Sequence, residues 1–247
     1  MLLQDRVAIV TGAARGIGEA TARRMGQEGA CVAVVDIDLD VAQGVATFIR
    51  ESGGQADAFR CDVAKPADGE QLVKDVIAKY GRLDVLVNNA AICPRIPMEE
   101  MTEEWFDRLI NINVKSVFFL SRAAAEAMKP QQWGRIVNLS STGGRIGGVF
   151  NATVYGGTKA AILAMTKSFA RHYAPWNILV NAVAPGAVNT RLMQMPEDKL
   201  KVQIEAGPLK RLADAGEIAA VITFLASQEA SWMTGSTVDV NGGTLML

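Results

Sequence analysis

The sequence predicts an α/β protein with one doubly wound, mostly parallel, seven-stranded sheet and helices on both of its faces. Short apolar runs alternate with helical stretches along all 247 residues. Several runs, such as residues 7–10, are apolar throughout, which is typical of strands covered on both sides. No low-complexity linker and no short-period repeat interrupts this pattern. We therefore expect a single domain over residues 1–247.

The order of the elements follows from the apolar runs and from the helical spacing between them. Seven strands are predicted, at residues 7–10, 30–35, 56–59, 85–87, 135–139, 178–183 and 237–240. Helices are predicted up to about residue 29 after the first strand, and then at residues 41–52, 66–80, about 103–128, 152–173 and 215–226. Residues 190–207 are expected to form a helical lid over the substrate.

Charge and hydropathy limit the possible partners. The formal net charge is -1 and no run of Lys or Arg occurs, which argues against a nucleic acid or an anionic membrane surface. No apolar run approaches the ~18 residues of a membrane span. We expect a protein that acts on small molecules.

The cysteine and histidine content limits which disulfides, metal sites and catalytic mechanisms are possible. Cys31, Cys61 and Cys93 are odd in number and lack CxxC spacing, so neither a disulfide framework nor a zinc site is indicated. A reducing, cytoplasmic location fits best. His172 is the only histidine, which removes most Ser-His and Cys-His mechanisms and most histidine metal sites. No metal site is expected.

A glycine-rich turn follows the first strand and opens the next helix. It contains Gly12, Gly16 and Gly18. Glycines at such a turn let the backbone approach a pyrophosphate, which then lies at the helix N-terminus. A purely structural tight turn is the alternative. The strand before the turn, the helix after it and the acid at the end of the next strand together favour nucleotide binding.

The acid is Asp36, which stands 18 residues after Gly18. Its carboxylate could accept hydrogen bonds from both ribose hydroxyls of an adenosine and would repel a 2'-phosphate. Arg15 is the opposing feature, because a basic side chain in the glycine turn could reach a phosphate. We give Asp36 more weight because it lies directly at the ribose, and we expect NAD rather than NADP.

Two further strand ends carry polar residues that allow two interpretations each. Asp62 could meet the adenine amino group while Val63 packs on the ring, or Asp62 could cap the helix that begins near Pro66. Asn89 and Ala90 could contact the cofactor, or they could serve only to hold neighbouring loops together.

The pair Tyr155 and Lys159 has the spacing that places both side chains on one face of a helix. A positive charge near a phenol favours the phenolate and brings its pKa toward neutral pH. The alternative is a buried tyrosine with a chance lysine one turn away.

Six ordered features carry a resemblance to a known family. They are residues 11–18, residues 88–91, Asn113, Ser140 with Ser141, Tyr155 with Lys159, and Pro185 with Gly186. On these features the chain resembles the short-chain dehydrogenase/reductase family nearly from end to end. The resemblance implies one Rossmann-type domain, a nicotinamide cofactor, interconversion of a carbonyl and an alcohol, and a homotetramer.

The resemblance also implies roles for single residues. Tyr155 would be the general acid/base, and Lys159 would lower its pKa and bind the nicotinamide ribose. Ser141, rather than Ser140, would donate a hydrogen bond to the substrate oxygen. Asn113 would kink its helix and hold a water molecule beside the lysine.

The expected cofactor contacts combine the residue patterns with the resemblance. They are Gly12, Arg15, Gly16, Ile17, Gly18, Asp36, Asp62, Val63, Asn89, Ala90, Tyr155, Lys159, Pro185, Gly186, Val188 and Thr190. For Pro185 and Gly186, a plain turn at the end of a strand is the alternative.

The sequence thus favours an NAD-dependent dehydrogenase or reductase of a secondary alcohol and its ketone. One alternative is an NADPH-dependent reductase of 3-oxoacyl thioesters, and another is a cofactor-binding regulatory or scaffold protein with little turnover. The substrate pocket is expected between residues 92–96, residues 143–150, Ala187 and the lid. Arg95 and Arg145 could recognise an anionic substrate, or they could be merely solvated.

Overall fold

Seven parallel strands form one sheet in the computed structural model, which describes residues 1–193 and 195–247. The strand order is β3-β2-β1-β4-β5-β6-β7. The strands are β1 Val7–Thr11, β2 Cys31–Asp36, β3 Gln55–Arg60, β4 Val85–Asn88, β5 Gly134–Leu139, β6 Ile178–Pro185 and β7 Thr237–Val240. All neighbouring pairs are parallel. The predicted fold class is therefore confirmed, and the order reverses between β1 and β4, where such sheets bind ligands.

Nine α-helices connect the strands within the described ranges. They are α1 Gly16–Gln27, α2 Leu39–Glu51, α3 Pro66–Tyr80, α4 Glu103–Ile110, α5 Ser116–Met128, α6 Gly143–Ile146, α7 Thr153–Tyr173, α8 Glu197–Ala206 and α9 Ala215–Leu225. Across residues 1–193 and 195–247, none of the helices combines the length and the apolarity that crossing a bilayer requires.

The strands bury side chains on both faces of the sheet. In β1, Ala8 and Val10 belong to one apolar cluster, which also contains buried residues of α1, α2 and α9. Val7 and Ile9 belong to a second cluster, on the side of α3, α5 and α7. Successive side chains of a strand point to opposite faces. A strand that is apolar at every position must therefore be covered twice, which explains the continuous apolar runs in the sequence.

The helix predicted at about residues 103–128 is interrupted, at the residue where the resemblance implied a kink, Asn113. A π-helical turn, Asn111–Lys115, separates α4 from α5. Inside this turn the side chain of Asn113 bonds to the backbone of Ile92 rather than pointing to solvent. The hydroxyl of Ser116 also donates to the carbonyl of Ile112. Periodicity cannot reveal such a turn, because the apolar pattern continues on both sides of it.

Candidate active site

Two adjoining cavities lie beyond the carboxyl ends of the strands. The larger, of ≈ 370 Å³, is bordered by the glycine turn and by the ends of β2 and β3. The smaller, of ≈ 140 Å³, is bordered by Tyr155, Lys159 and Ser141. Ile17, Asn89, Ala91, Thr190 and Leu192 border both. The larger cavity alone has the volume of a typical small-molecule site, which is roughly 300–1,000 Å³.

The glycine turn is held in a close approach to the loop after β4. Gly12 has φ +62°, and a Cβ atom there would lie 2.9 Å from the Cα atom of Ala90. The Asn89 amide donates to the carbonyls of Thr11 and Gly12, at 2.8 Å and 3.1 Å. The side chain of Asn89 is thus committed to holding the turn, so the structural alternative describes it. Ala90 and Asn89 still border the larger cavity.

The N-terminus of α1 opens beside this cavity. The helix begins at Gly16, and the preceding residue, Arg15, makes no side-chain capping bond. The first N–H groups of a helix have no partner within the helix and attract anions. Gly16 has φ +59°, and it borders the larger cavity together with Ile17. The turn and the helix terminus therefore fit a dinucleotide pyrophosphate.

The substitution Gly18→Ala is expected to damage this turn. An added Cβ atom would lie 2.1 Å from the carbonyl oxygen of Gly12, which the amide of Asn89 already holds. We expect a loss of about 1–3 kcal/mol in stability and weaker nucleotide binding, measured by thermal melting and by titration with NAD. Gly44→Ala is the control, because a Cβ atom there meets nothing within 4 Å. Equal behaviour of the two variants would contradict the tight approach.

Asp36 borders the larger cavity, and its contact with a ribose stays a prediction. Its carboxylate accepts hydrogen bonds from the backbone N–H groups of Ala14 and Asp38, both at 3.1 Å. Arg15, which sequence reasoning left able to reach a phosphate, instead forms an ion pair of 2.9 Å with the side chain of Asp38. The Arg15 guanidinium holds the pKa of the Asp38 carboxyl below its usual range. The side chains at this end of the site therefore carry two carboxylates, of Asp36 and Asp38, and one positive charge, of Arg15.

Asp62 and Val63 also border the larger cavity. The capping alternative for Asp62 is wrong, because the residue before α3 is Lys65 and no side chain caps that helix. The Asp62 carboxylate instead accepts a bond of 3.1 Å from the N–H group of Ala64. Its other oxygen, Oδ2, lies 3.7 Å from the ammonium of Lys65, so a contact between Asp62 and the adenine stays a prediction.

Tyr155, Lys159 and Ser141 surround the smaller cavity. The Lys159 ammonium lies 5.6 Å from the centre of the Tyr155 ring and donates to the carbonyl of Leu139 at 2.7 Å. The Ser140 hydroxyl is buried and donates to the backbone carbonyl of Lys159 at 2.8 Å. Ser141 is less buried, and its hydroxyl accepts from the N–H group of Gly143. The serine that can serve a substrate is therefore Ser141.

The pKa values of the pair differ from the expectation. Burial raises the pKa of Tyr155 above its ordinary value of 10.0, and a hydrogen bond with Ser141 and the charge of Arg95 only partly oppose this shift. Burial also lowers the pKa of Lys159, to about 8. The expectation that Lys159 lowers the pKa of the phenol is therefore wrong for the protein as it stands. The desolvation of both groups outweighs their mutual effect.

Asn113 connects the loop after β4 to the helix that carries Tyr155. Its amide oxygen accepts from the N–H group of Ile92 and its amide nitrogen donates to the Ile92 carbonyl, both at 2.9 Å. The same nitrogen donates to the Thr158 hydroxyl at 3.2 Å, which in turn donates to the carbonyl of Tyr155. The side chain is fully buried. This network fixes the first turns of α7, and the role of Asn113 in holding a water molecule stays a prediction.

Pro185 is the last residue of β6 and pairs with Val240 of β7. The strand thus ends between Pro185 and Gly186, and the plain turn stays an alternative to a cofactor contact. A Cβ atom on Gly186 would lie 2.8 Å from the Cα atom of Asn241. Pro185, Gly186, Val188 and Thr190 border the smaller cavity, as the predicted cofactor contacts require.

The two arginines that could recognise an anion have different surroundings. Arg145 forms an ion pair of 2.9 Å with Asp239, so its guanidinium is already occupied. Arg95 borders the smaller cavity, together with Met193 and Gln203 from the predicted lid region. Ala187 borders a different cavity near the C-terminus. Closure of residues 190–207 as a lid remains a prediction.

Sequence reasoning missed several features of the site. The carbonyl of Leu139 accepts a hydrogen bond from the ammonium of Lys159. Every residue has a backbone carbonyl, so the sequence does not indicate which one pairs with the lysine. A Cβ atom on Gly156 would lie 2.3 Å from the backbone nitrogen of Gly148. The glycine directly after Tyr155 is therefore a sequence signal of this close approach between two backbone segments. Cys93 borders the cavity, and burial raises its pKa. Within residues 1–193 and 195–247, no cluster of His, Cys, Asp and Glu could hold a metal ion.

This arrangement defines a dinucleotide-dependent oxidoreductase, and comparisons with known proteins agree. A family model described as enoyl-(acyl carrier protein) reductase matches residues 12–244. The chain belongs to the short-chain dehydrogenase/reductase family and is an oxidoreductase. This family binds a nicotinamide cofactor.

Similar proteins include two from Thermotoga maritima. An uncharacterised oxidoreductase is 42% identical over 99% of this chain and 99% of its own. A 3-oxoacyl-[acyl-carrier-protein] reductase, FabG, is 38% identical over 100% of both chains. Among solved structures, a short-chain type dehydrogenase/reductase from Mycobacterium marinum has a TM-score of 0.96 at 34% identity, covering 99% of this chain and 97% of its own.

Proposed function

We propose that the protein is an NAD-dependent oxidoreductase that interconverts a secondary alcohol and its ketone, with Tyr155 as the general acid/base. The observation that carries this proposal is the position of Tyr155, Lys159 and Ser141 around one cavity. That cavity adjoins the larger cavity at the glycine turn. A nicotinamide bound across the two would supply or accept the hydride.

The proposed roles follow from what each side chain can do. The hydroxyl of Tyr155 gives a proton to the carbonyl oxygen during reduction and takes one from the alcohol during oxidation. Ser141 donates a hydrogen bond to the same oxygen and stabilises the charge that develops there. Lys159 binds the sugar hydroxyls nearest the nicotinamide and, with the buried Asn113, keeps the tyrosine in position.

The preference for NAD is supported by charge at the ribose end of the site. Asp36 would accept hydrogen bonds from ribose hydroxyls and would repel a 2'-phosphate. The ion pair of 2.9 Å between Arg15 and Asp38 engages the cation that could otherwise receive that phosphate. Asp36 therefore disfavours NADP directly, and Asp38 disfavours it by pairing with Arg15.

Two other functions are alternatives to this proposal. FabG relatives at 38% identity favour an NADPH-dependent 3-oxoacyl thioester reductase as the second candidate. A regulatory or scaffold protein with little turnover is the third, and the grouping of Tyr155, Lys159 and Ser141 argues against it because binding alone does not need that grouping.

A cytoplasmic homotetramer completes the proposal. Support for association comes from exposed aromatic side chains on α4 and α5, namely Trp105, Phe106 and Phe118. In the described parts of the chain the three cysteines are free thiols, which suits a reducing compartment. Light scattering after gel filtration measures the number of chains.

The function is tested by a substrate screen at the absorbance band of the reduced nicotinamide. Secondary alcohols with NAD or NADP, and ketones and a 3-oxoacyl thioester with NADH or NADPH, are compared. Turnover of simple secondary alcohols with NAD supports the proposal. Turnover restricted to the thioester with NADPH would establish the second candidate, and no turnover in any combination would favour the third.

The substitution Asp38→Asn is expected to shift cofactor preference toward NADP. Loss of the carboxylate frees Arg15 to meet a 2'-phosphate, and one charge pair at about 4 Å changes affinity by roughly tenfold at surface dielectrics. The ratio of Kd values for NADP and NAD, from fluorescence titration, measures the effect. Asp40→Asn is the matched control, since Asp40 is exposed and lies two residues farther along. An unchanged ratio in Asp38→Asn would show that the ion pair does not select the cofactor.

A further inference from the structure

Arg95 is a cation in the smaller cavity without a carboxylate partner among the described residues. The ion pairs found across residues 1–193 and 195–247 do not include it. Its Nη1 atom donates to the carbonyl of Phe150 at 3.3 Å. Its Nε atom is buried and has no hydrogen-bond partner in the described chain. A buried donor of this kind is costly unless a ligand satisfies it.

A second arginine, Arg145, shows what the Nε edge of a guanidinium can bind. The Nε and Nη2 atoms of Arg145 donate to the two carboxylate oxygens of Asp239, at 3.3 Å and 2.9 Å. Phe150 uses only Nη1 of Arg95, so the edge that carries Nε has no partner in the described chain. Because Nε is covered, a ligand reaches that edge with a shift of the Arg95 side chain. That edge matches the spacing of the two oxygens of a carboxylate.

The charged side chains around the smaller cavity also favour an anionic ligand. The described residues that border it include Arg95 and Lys159 but neither Asp nor Glu. Burial raises the pKa of Tyr155 and that of Cys93, and the charge of Arg95 opposes the rise in both. A cavity with excess positive charge and little water attracts an anion. The Oε1 atom of Gln203 is a second buried polar atom without a partner in the described chain, but an amide oxygen only accepts hydrogen bonds and so does not itself bind a carboxylate.

We propose that the substrate is a short hydroxy or oxo acid whose carboxylate binds the Nε edge of Arg95 while its carbinol or carbonyl carbon faces Tyr155. This proposal rests on the proposed function and adds the substrate class. A neutral ester or thioester in the same position could accept one hydrogen bond through its carbonyl oxygen but would leave the charge of the guanidinium without a partner.

Binding is tested first, with ligands that cannot react. Butyrate and its neutral isostere butyramide are titrated by calorimetry into the protein saturated with NADH. We expect butyrate to bind about tenfold more tightly, and Arg95→Gln to bring the two Kd values together. Arg95→Lys should recover part of the preference, and Arg171→Gln, which removes an exposed cation elsewhere, should keep it. Equal binding of the two ligands by the wild type, or an unchanged preference in Arg95→Gln, would overturn the proposal.

Turnover separates this inference from the proposed function. The acids 2-hydroxybutyrate and 3-hydroxybutyrate are compared with their methyl esters, with NAD as cofactor. We expect the wild type to favour at least one acid, mainly through KM, and Arg95→Gln to lose that preference. Turnover of the esters without preference for either acid overturns the substrate class but leaves the proposed function intact. If no alcohol turns over, the proposed function fails, and the calorimetry still decides the role of Arg95.

Discussion

Replacing Tyr155 with Phe is expected to lower kcat/KM by about 100- to 10,000-fold, the usual contribution of a general acid or base. The phenol borders the cavity with Ser141 and Lys159, and only its hydroxyl can exchange a proton with a substrate oxygen at that position. Removal of one oxygen atom leaves the ring and its packing in place. Initial rates with the best alcohol of the screen and with its ketone measure the effect in both directions.

Tyr173→Phe is the matched control for this substitution. Tyr173 lies on the same helix, and its hydroxyl makes one long bond of 3.4 Å to Glu126. We expect it to retain the wild-type rate. Because burial raises the pKa of Tyr155, the phenol is protonated at neutral pH, so the rate of oxidation should rise with pH more steeply than the rate of reduction. Undiminished turnover in Tyr155→Phe would refute the proposed mechanism.

Replacing Lys159 with Met is expected to lower activity strongly and yet to stabilise the fold near pH 7. Lys159 is buried, and its pKa is lowered from 10.5 to about 8. A shift of that size corresponds to roughly 3 kcal/mol of unfavourable ionisation in the folded state at neutral pH. Loss of the bond to the carbonyl of Leu139 offsets about 1 kcal/mol. A net gain of about 1–2 kcal/mol corresponds to roughly 2–8 °C in Tm for a chain of this length.

The pH dependence provides the check on Lys159. Below pH 8 the lysine is charged in both states, so the folded state carries the full desolvation penalty. Between about 8 and 10.5, the unfolded chain binds more protons than the folded chain, so wild-type stability from this group rises with pH. The advantage of Lys159→Met should therefore shrink between pH 7 and pH 10. Lys167→Met, at an exposed position of the same helix, should show no such trend. A Lys159→Met variant that is less stable than the wild type at pH 7 would show that the ammonium stabilises the fold.

The sequence predicted those parts of the molecule that depend on local patterns. Residues 66–80 were predicted as a helix, and α3 has these bounds. The strands agree within about two residues, and in β1, which is buried at every position, the reason is that a strand covered on both faces is largely apolar. Tyr155 and Lys159 were brought together by helical spacing alone, and both border one cavity in the structure.

The parts that sequence reasoning could not supply depend on contacts between distant residues. Arg145 and Asp239 are 94 positions apart, and nothing in either segment indicates the ion pair that removes Arg145 from the site. The carbonyl of Leu139, which holds Lys159, is 20 positions from it. The pKa of Tyr155 was predicted in the wrong direction because a charge one turn away is visible in a sequence, whereas desolvation depends on the packed surroundings.

The π-helical turn at Asn111–Lys115 has a consequence for the whole helix that follows it. Such a turn holds one residue more than an α-helical turn, and each residue of a helix rotates its side chain by about 100°. Deleting that extra residue would rotate α5 about its axis, so that Leu120, which is 3% exposed, would move toward solvent and Phe118, which is 42% exposed, toward the sheet. The same extra residue that places Asn113 against Ile92 and Thr158 therefore sets the rotation of α5 about its axis relative to the sheet.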